Sequence, residues 1–306
     1  MESRPSEVVA ARDPPDELAL ALERWAARVR DNREQVDRIR EVPDGDFYAP
    51  VTALFRADPD RTDDPQLDAL LALTRPDERW LDIGAGAGRF ALPLARHVRR
   101  VIAIDPSDGM LAALRESMAE AGVSNIDVRQ GRWPEAWAST APTDERPDVD
   151  VALMAHVGYD IEAIGPFLDA MEDAAARLCV AILMERQPSS SADRFWPPVH
   201  GQERVSLPGW PEFVEILRLR GRSPEVEEVT RPRRAFESLE QVETFVRRQL
   251  WVAPGGPKDA RMHEVAPTIA TRDADGWYLE RSDPGVAIVT WVPRGRREPD
   301  ARGGDA

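Results

Sequence analysis

Cysteine and long apolar runs are nearly absent from this sequence of 306 residues. Cys179 is its single cysteine, which excludes an internal disulfide and any cysteine-rich metal site. No run of about 18 apolar residues occurs, so no segment is predicted to span a membrane. Residues 1–5 lack the charged-then-apolar pattern of a signal peptide, and the resulting expectation is a cytoplasmic protein.

Lysine is also nearly absent, and negative charge exceeds positive charge. The formal net charge is −15, and Lys258 is the only lysine. A protein that follows the phosphates of a nucleic acid usually presents a broad basic face, which this charge balance argues against. Arginine-rich stretches at 231–234 and 247–248 leave a local basic patch open, although solvated helix faces explain them more simply. We expect neither a nucleic-acid nor a membrane partner, and the oligomeric state stays open.

Composition and periodicity divide the chain into regions. Residues 1–14 are polar and proline-bearing and are predicted to be disordered, and 297–306 form a polar tail. Residues 15–75 are predicted to be an N-terminal helical cover, because apolar residues recur there at helical spacing. A Rossmann-like domain is expected over 76–296, with a helical insertion at about 236–282.

From Trp80 onward, short apolar runs alternate with longer helical stretches. The runs predict seven strands, at 80–83, 101–104, 126–128, 149–154, 177–184, 225–231 and 285–292. Such alternation indicates an α/β fold with a doubly wound, mostly parallel sheet that helices cover on both faces. In a sheet of this kind the ligand crevice lies at the carboxyl ends of the strands.

A glycine-rich turn follows the first predicted strand, in the sequence WLDIGAGAGRF at 80–90. Glycine permits positive φ and removes the Cβ that would block a ligand, and the amides at the following helix start can face a polar group of that ligand. The second predicted strand ends in Asp105, whose carboxylate can accept hydrogen bonds from both ribose hydroxyls of an adenosine. Together these features predict an adenosyl-binding site.

Asp82 discriminates between two kinds of adenosine ligand. A dinucleotide site would have the spacing G-x-G-x-x-G, whereas Gly84, Gly86 and Gly88 give G-x-G-x-G. A carboxylate beside a diphosphate would be repelled, but beside an amino-acid ammonium it is attracted. Asp82 therefore favours a ligand that has an ammonium end.

Over about residues 80–184 the chain resembles the class I S-adenosylmethionine-dependent methyltransferases. The resemblance implies S-adenosylmethionine as the cofactor and in-line transfer of its methyl group. By position, it implies that the methionine end and the ribose are bound by Asp82, Gly84, Ala85, Gly86, Gly88 and Asp105. It further implies that the adenine is bordered by Pro106, Ser107, Met110, Gly131, Arg132 and Trp133. Arg132 stands where the family often has an acid, so backbone groups and packing near 131–133 would hold the adenine.

The loop after the fourth predicted strand reads MAHVGYD at 154–160. The resemblance implies that Ala155 and His156 border the cofactor and that this loop lies beneath the transferring methyl. His156 is a candidate general base, because its ordinary pKa is near neutrality, or else it only hydrogen-bonds backbone or cofactor. Tyr159 either orients the acceptor or packs. No cluster of acids is evident there, so no metal is expected.

Aromatic residues outside this loop also admit two interpretations. Tyr48 either closes over the sulfonium through a cation–π contact or anchors the first helices. Five aromatics form either an apolar acceptor pocket or the core of a lid: Phe195, Trp196, Trp210, Phe213 and Trp251. The expected function is methyl transfer to a small molecule. The alternatives are RNA or a protein side chain as acceptor, and a protein that binds S-adenosylmethionine without turnover.

Overall fold

The structure is a computed structural model that describes residues 16–42, 56, 58–138 and 149–295. The strands of its main sheet are β1 (Arg79–Ile83), β2 (Arg100–Asp105), β3 (Ile126–Gln130), β4 (Val149–Ala155), β5 (Ala175–Met184), β6 (Glu225–Thr230) and β9 (Gly285–Trp291). A separate small hairpin consists of β7 (Thr271–Arg272) and β8 (Trp277–Tyr278).

In the described part of the chain, the seven strands of the main sheet have the order β3-β2-β1-β4-β5-β9-β6. The first five strands pair in parallel, whereas β9 runs antiparallel to both β5 and β6. This topology confirms the predicted α/β, Rossmann-like fold with a mostly parallel sheet. It also brings the ends of β1, β2, β4 and β5 to one edge, which we call the carboxyl edge.

The helices of the described residues are α1 (Glu17–Ile39), α2 (Pro65–Leu71), α3 (Ala91–Ala95), α4 (Asp108–Glu120), α5 (Glu135–Ala138), α6 (Ile164–Ala174), α7 (Trp196–His200), α8 (Trp210–Leu219), α9 (Leu239–Gln249) and α10 (Pro257–Ile269). Several begin at a side-chain cap that satisfies free backbone amides. Asp64 accepts from the amides of Gln66 and Leu67 ahead of α2, and Ser107 accepts from Met110 ahead of α4.

The proline- and serine-rich sequences at 187–191 and 196–198 predict a loop, but the structure has helices there. A 3₁₀ helix spans Pro188–Phe195 and α7 comes directly after it. Their apolar side chains, among them Ala192 and Val199, are fully buried against α9 and α10. Because a core formed with distant segments stabilises this stretch, its local proline- and serine-rich sequence did not predict a helix.

Two hydrophobic clusters line the faces of the sheet, and a third lies among the 3₁₀ helix, α7, α9 and α10. Phe195 and Trp196 are buried in the third cluster, whereas Phe213 is buried against the sheet beside Trp291. The five aromatics considered for the acceptor pocket are therefore divided between two cores, and the hypothesis that they converge on one pocket is wrong.

Some expectations fall outside the described residues. These are the disordered segment 1–14, the polar tail 297–306 and the role of Tyr48. Within the described ranges, no helix has both the length and the apolar character needed to cross a membrane.

Candidate cofactor and acceptor site

The glycine loop folds back over the carboxyl edge immediately after β1. The backbone amides of Gly84 and Ala85 donate to the carbonyl of Ile104 at 2.8 and 3.1 Å, which ties the loop to the end of β2. Gly84, Gly86 and Gly88 have φ values of 75°, 55° and 88°. Such left-handed backbone is available to glycine at little cost, which explains the residue type at these three positions.

The three glycines face different surroundings. A Cβ on Gly84 would lie 2.5 Å from Val157 Cγ1, so this glycine lets the loop after β4 approach closely. A Cβ on Gly88 would overlap Leu114, so this glycine lets α4 pack on the loop. A Cβ on Gly86 would meet no atom within 4 Å. Gly86 therefore borders open space on the side where a ligand would approach.

Asp105 connects the loops after β1, β2 and β3. Its carboxylate accepts hydrogen bonds from the amides of Gly86 (2.9 Å) and Ser107 (2.8 Å), and its backbone carbonyl accepts one from Gly131 (3.0 Å). These bonds hold the carboxylate beside Gly86. The carboxylate therefore lies next to the open space that Gly86 borders.

Asp82 is a buried carboxylate beneath the same loop, and 2% of its surface is exposed. Burial, and secondarily repulsion from Asp105, raise the pKa of Asp82 to about 7, although a hydrogen bond from the Ala91 amide opposes the shift. A buried carboxylate that is only about half ionised at neutral pH gains from a cationic partner. The surroundings of Asp82 are thus suited to an ammonium group.

The residues predicted to border the adenine follow β2, at the start of α4, and β3. Ser107 caps α4, Met110 packs in a small buried cluster with Ala87, and Pro106 is exposed. Arg132 is also exposed, whereas Trp133 is buried and donates its indole N–H to the carbonyl of Phe167 at 3.3 Å. The exposed position of Arg132 accords with the expectation that backbone and packing, rather than an acid, surround an adenine here.

His156 lies immediately after β4 in a left-handed conformation with φ 56°. Its Nε2 is 2.8 Å from Gln66 Oε1, and with the amide in this orientation Nε2 is the donor, because an amide oxygen only accepts. Burial, followed by the guanidinium groups of Arg89 and Arg231, lowers the pKa of His156 to about 3. The imidazole is therefore neutral near pH 7, with Nδ1 as its lone-pair nitrogen.

Tyr159 is buried, with 5% of its surface exposed, and its hydroxyl accepts a hydrogen bond of 2.6 Å from the Met184 amide. Burial raises the pKa of Tyr159 above its ordinary value. The side chain thus supports the last residue of β5. Of the two roles predicted for Tyr159, packing and orienting the acceptor, this contact corresponds to packing.

Comparison with known proteins agrees with this geometry. Residues 81–174 match the family model described as a methyltransferase domain. The YcgJ protein from Bacillus subtilis has the same fold, with a TM-score of 0.51 and 15% identity over 76% of this chain and 98% of that one. The family match identifies residues 81–174 as a methyltransferase domain.

Two curated relatives match parts of this methyltransferase chain. An indolepyruvate C-methyltransferase from Streptomyces griseus is 32% identical over 49% of this chain and 43% of its own length. A 23S rRNA (uracil(1939)-C(5))-methyltransferase from Xanthomonas campestris is 38% identical over 21% of this chain and 15% of its own length. The chain thus covers less than half the length of these relatives.

The methyltransferase fold also assembles polar residues that the sequence analysis did not single out. Asp64 accepts hydrogen bonds from Arg61 (2.8 Å) and Arg89 (2.6 Å), and Arg231 pairs with Glu280 at 3.1 Å. Arg89 comes directly after Gly88, but no local pattern indicates that α2 and the end of β6 meet beside it. Among the described residues, no group of three histidine, cysteine or acidic side chains is arranged to hold a metal ion.

Proposed function

We propose that this chain binds S-adenosylmethionine and transfers its methyl group to a small-molecule acceptor. The observation that carries the proposal is the pair of carboxylates at the glycine loop: Asp105 is bonded to Gly86, which borders open space, and Asp82 is buried beneath the loop. An ammonium group would stabilise ionised Asp82, and the hydroxyls of a ribose would donate to Asp105. A ligand with both groups at its two ends matches this arrangement.

In this proposal Asp82, Gly84, Ala85, Gly86 and Gly88 hold the methionine end and Asp105 holds the ribose. When bound, the cofactor supplies an electrophilic methyl group for in-line displacement by the acceptor. His156 is neutral and offers a hydrogen-bond acceptor, Nδ1, at the end of β4. Its low pKa makes it a poor proton acceptor, so we assign it to positioning rather than to general base catalysis.

The segment after β5 supports a small-molecule acceptor. The 3₁₀ helix Pro188–Phe195 begins four residues after Met184 at the carboxyl edge and forms its own buried core with α7, α9 and α10. Such a cover can exclude water from a small acceptor. The relative that matches the larger share of this chain is named for indolepyruvate, a small molecule, whereas the relative named for rRNA matches only 21% of it.

Isothermal titration with S-adenosylhomocysteine tests the cofactor assignment. We expect the wild-type protein to bind it and Asp105→Asn to bind it at least tenfold more weakly, because charge-assisted hydrogen bonds contribute about 1.5–3 kcal/mol each. Asp108→Asn is the matched control, since Asp108 is exposed on α4 three residues away. Absence of binding by the wild-type protein would refute the proposal.

The acceptor class is tested separately by methyl transfer from labelled S-adenosylmethionine. We expect labelled product with a panel of small organic acids, phenols and amines, and none with bulk tRNA, rRNA or protein. Label in RNA or protein would favour a macromolecular acceptor. Tight S-adenosylhomocysteine binding without turnover on any acceptor would instead indicate a non-catalytic binding protein.

A further inference from the structure

Five buried side-chain nitrogens beside the carboxyl edge lack a hydrogen-bond partner within the described ranges. They are Arg61 Nη2, Gln66 Nε2, Arg89 Nε, His156 Nδ1 and Arg231 Nε. Four of the five carry N–H groups, and buried donors without a partner are uncommon because they have lost their bonds to water. Gln66 is fully buried, so its amide cannot form hydrogen bonds with bulk water instead. This set of donors indicates that a ligand with acceptor oxygens binds here.

Arg89 and Arg231 lie close enough to His156 to act on its charge, and Arg61 shares Asp64 with Arg89. After burial, the positive charges of Arg89 and Arg231 are the main influences that lower the pKa of His156. The pKa of Arg89 is itself lowered by burial and, against the opposing effect of Asp64, by Arg61 and Arg231. Their side chains are still reachable, since 43% of Arg89 and 22% of Arg231 are exposed.

The charges in this group do not balance. Asp64 is shared by Arg61 and Arg89, and Glu280 pairs with Arg231. Among the described residues, three guanidinium groups thus face two carboxylates, and the neutral His156 adds no charge. Arg234 adds a further positive charge near Arg231 and Glu280, so positive charge is in excess here although the formal net charge of the protein is −15.

The strand order places Arg231 at the far side of this cluster from the glycine loop. Thr230 pairs with Gly285, and the adjacent Val286 pairs with Met184, so Arg231 emerges from β6 at the carboxyl edge. Four strand spacings separate the backbones of β6 and β1, which is about 19 Å at roughly 4.8 Å per spacing. The cluster therefore extends from Arg89, directly after the glycine loop, to Arg231 at the end of β6.

We infer that the acceptor carries a carboxylate, which Arg231 binds together with Arg89 and Gln66 beside the His156 loop. The inference rests on the proposed function and assigns the acceptor's chemical class. A carboxylate supplies negative charge where positive charge is in excess, and its two oxygens accept several N–H donors at once. Held in this way, the rest of the acceptor would lie next to the loop at the end of β4.

The test uses protein saturated with S-adenosylhomocysteine and matched pairs of ligands: benzoate, phenylpyruvate and indolepyruvate, each with its primary amide. Affinities are measured by isothermal titration for the wild type and for two variants. Arg231→Gln removes the charge at the site. Arg233→Gln is the control, because Arg233 pairs with Asp273 at 3.2 Å and stacks over Tyr278, away from His156.

We expect a carboxylate to bind more tightly than its amide, Arg231→Gln to weaken it at least tenfold, and Arg233→Gln to leave it unchanged. Arg231→Lys, which keeps the charge, should retain part of the affinity and replaces Arg231→Gln if that variant does not fold. Amides that bind as well as carboxylates, or no binding by any pair, would overturn the inference. An equal loss of S-adenosylhomocysteine affinity in Arg231→Gln would assign the arginine to the cofactor's own carboxylate instead.

The experiment distinguishes failure of this inference from failure of the proposed function. Failure of S-adenosylhomocysteine to bind the wild-type protein contradicts the cofactor assignment before any acceptor is added. Normal binding of S-adenosylhomocysteine together with no carboxylate preference contradicts only the assignment of the acceptor.

Discussion

Replacing Asp82 by asparagine should stabilise the ligand-free protein at alkaline pH while it removes affinity for S-adenosylhomocysteine. The side chain is buried beneath the glycine loop and accepts a hydrogen bond from the Ala91 amide. Asparagine has nearly the same shape, and its carbonyl oxygen can accept the same bond. The substitution therefore removes a buried ionisable group with little change in packing.

The size of the change in the free energy of unfolding depends on the pKa of Asp82, which is about 7 in the folded protein against an ordinary value of 3.8. Between these values the unfolded chain has released the proton while the folded chain keeps it. Raising the pH through this window therefore favours the unfolded state, by up to about 4 kcal/mol when the group is ionised in both states. Between pH 5.5 and pH 8 the expected loss is about 2 kcal/mol.

Urea unfolding at pH 5.5 and pH 8, followed by tryptophan fluorescence, measures this difference. The free energy of unfolding of Asp82→Asn relative to wild type should rise by about 2 kcal/mol between the two pH values. Asp173→Asn is the control, since Asp173 is an exposed aspartate on α6. A variant that is less stable than wild type at pH 8, or a difference that does not change with pH, would refute the reasoning.

Three further results are expected. Titration of S-adenosylhomocysteine at pH 7 in buffers of different ionisation enthalpy should show release of about half a proton, because an ammonium partner lowers the raised pKa of Asp82; no release would contradict that role. Gly88→Ala should lower the free energy of unfolding by about 1–3 kcal/mol, because its Cβ would overlap Leu114. The Cβ of Gly86→Ala would meet no neighbour, so this variant should mainly weaken S-adenosylhomocysteine binding. The ring protons of His156, assigned by their loss in His156→Asn, should not titrate by NMR between pH 5 and pH 8; a midpoint near pH 6.5 would show that the imidazole is not buried as described.

Much of the fold could be predicted because its strands are locally distinct. β1 and β2 are short apolar segments that end at a glycine turn or an acid, so hydrophobic pattern and turn chemistry predict the same element at each place. The 3₁₀ helix at Pro188–Phe195 was missed because only its burial against α9 and α10 favours it. The β7–β8 hairpin was missed because two-residue strands have no measurable period.

Some residues of the candidate site could likewise be predicted from the sequence, whereas others could not. Asp82, the glycines and Asp105 lie within a single strand-turn-helix-strand unit, so their spacing in the chain already predicts that they meet. Gln66, Arg89 and Arg231 come from three segments separated by up to about half the chain, and no local pattern relates them.

The sequence alone therefore determined the doubly wound sheet, the glycine loop and the two carboxylates that face an adenosyl ligand, since each depends on near neighbours. Only the tertiary structure decided the properties that depend on burial and on distant charges. It made His156 neutral, tied Tyr159 to the Met184 amide and raised the pKa of Asp82 to about 7. It also brought three arginines, one ahead of α2, one after the glycine loop and one after β6, to one side of the His156 loop, because strand order, not chain order, sets which residues become neighbours.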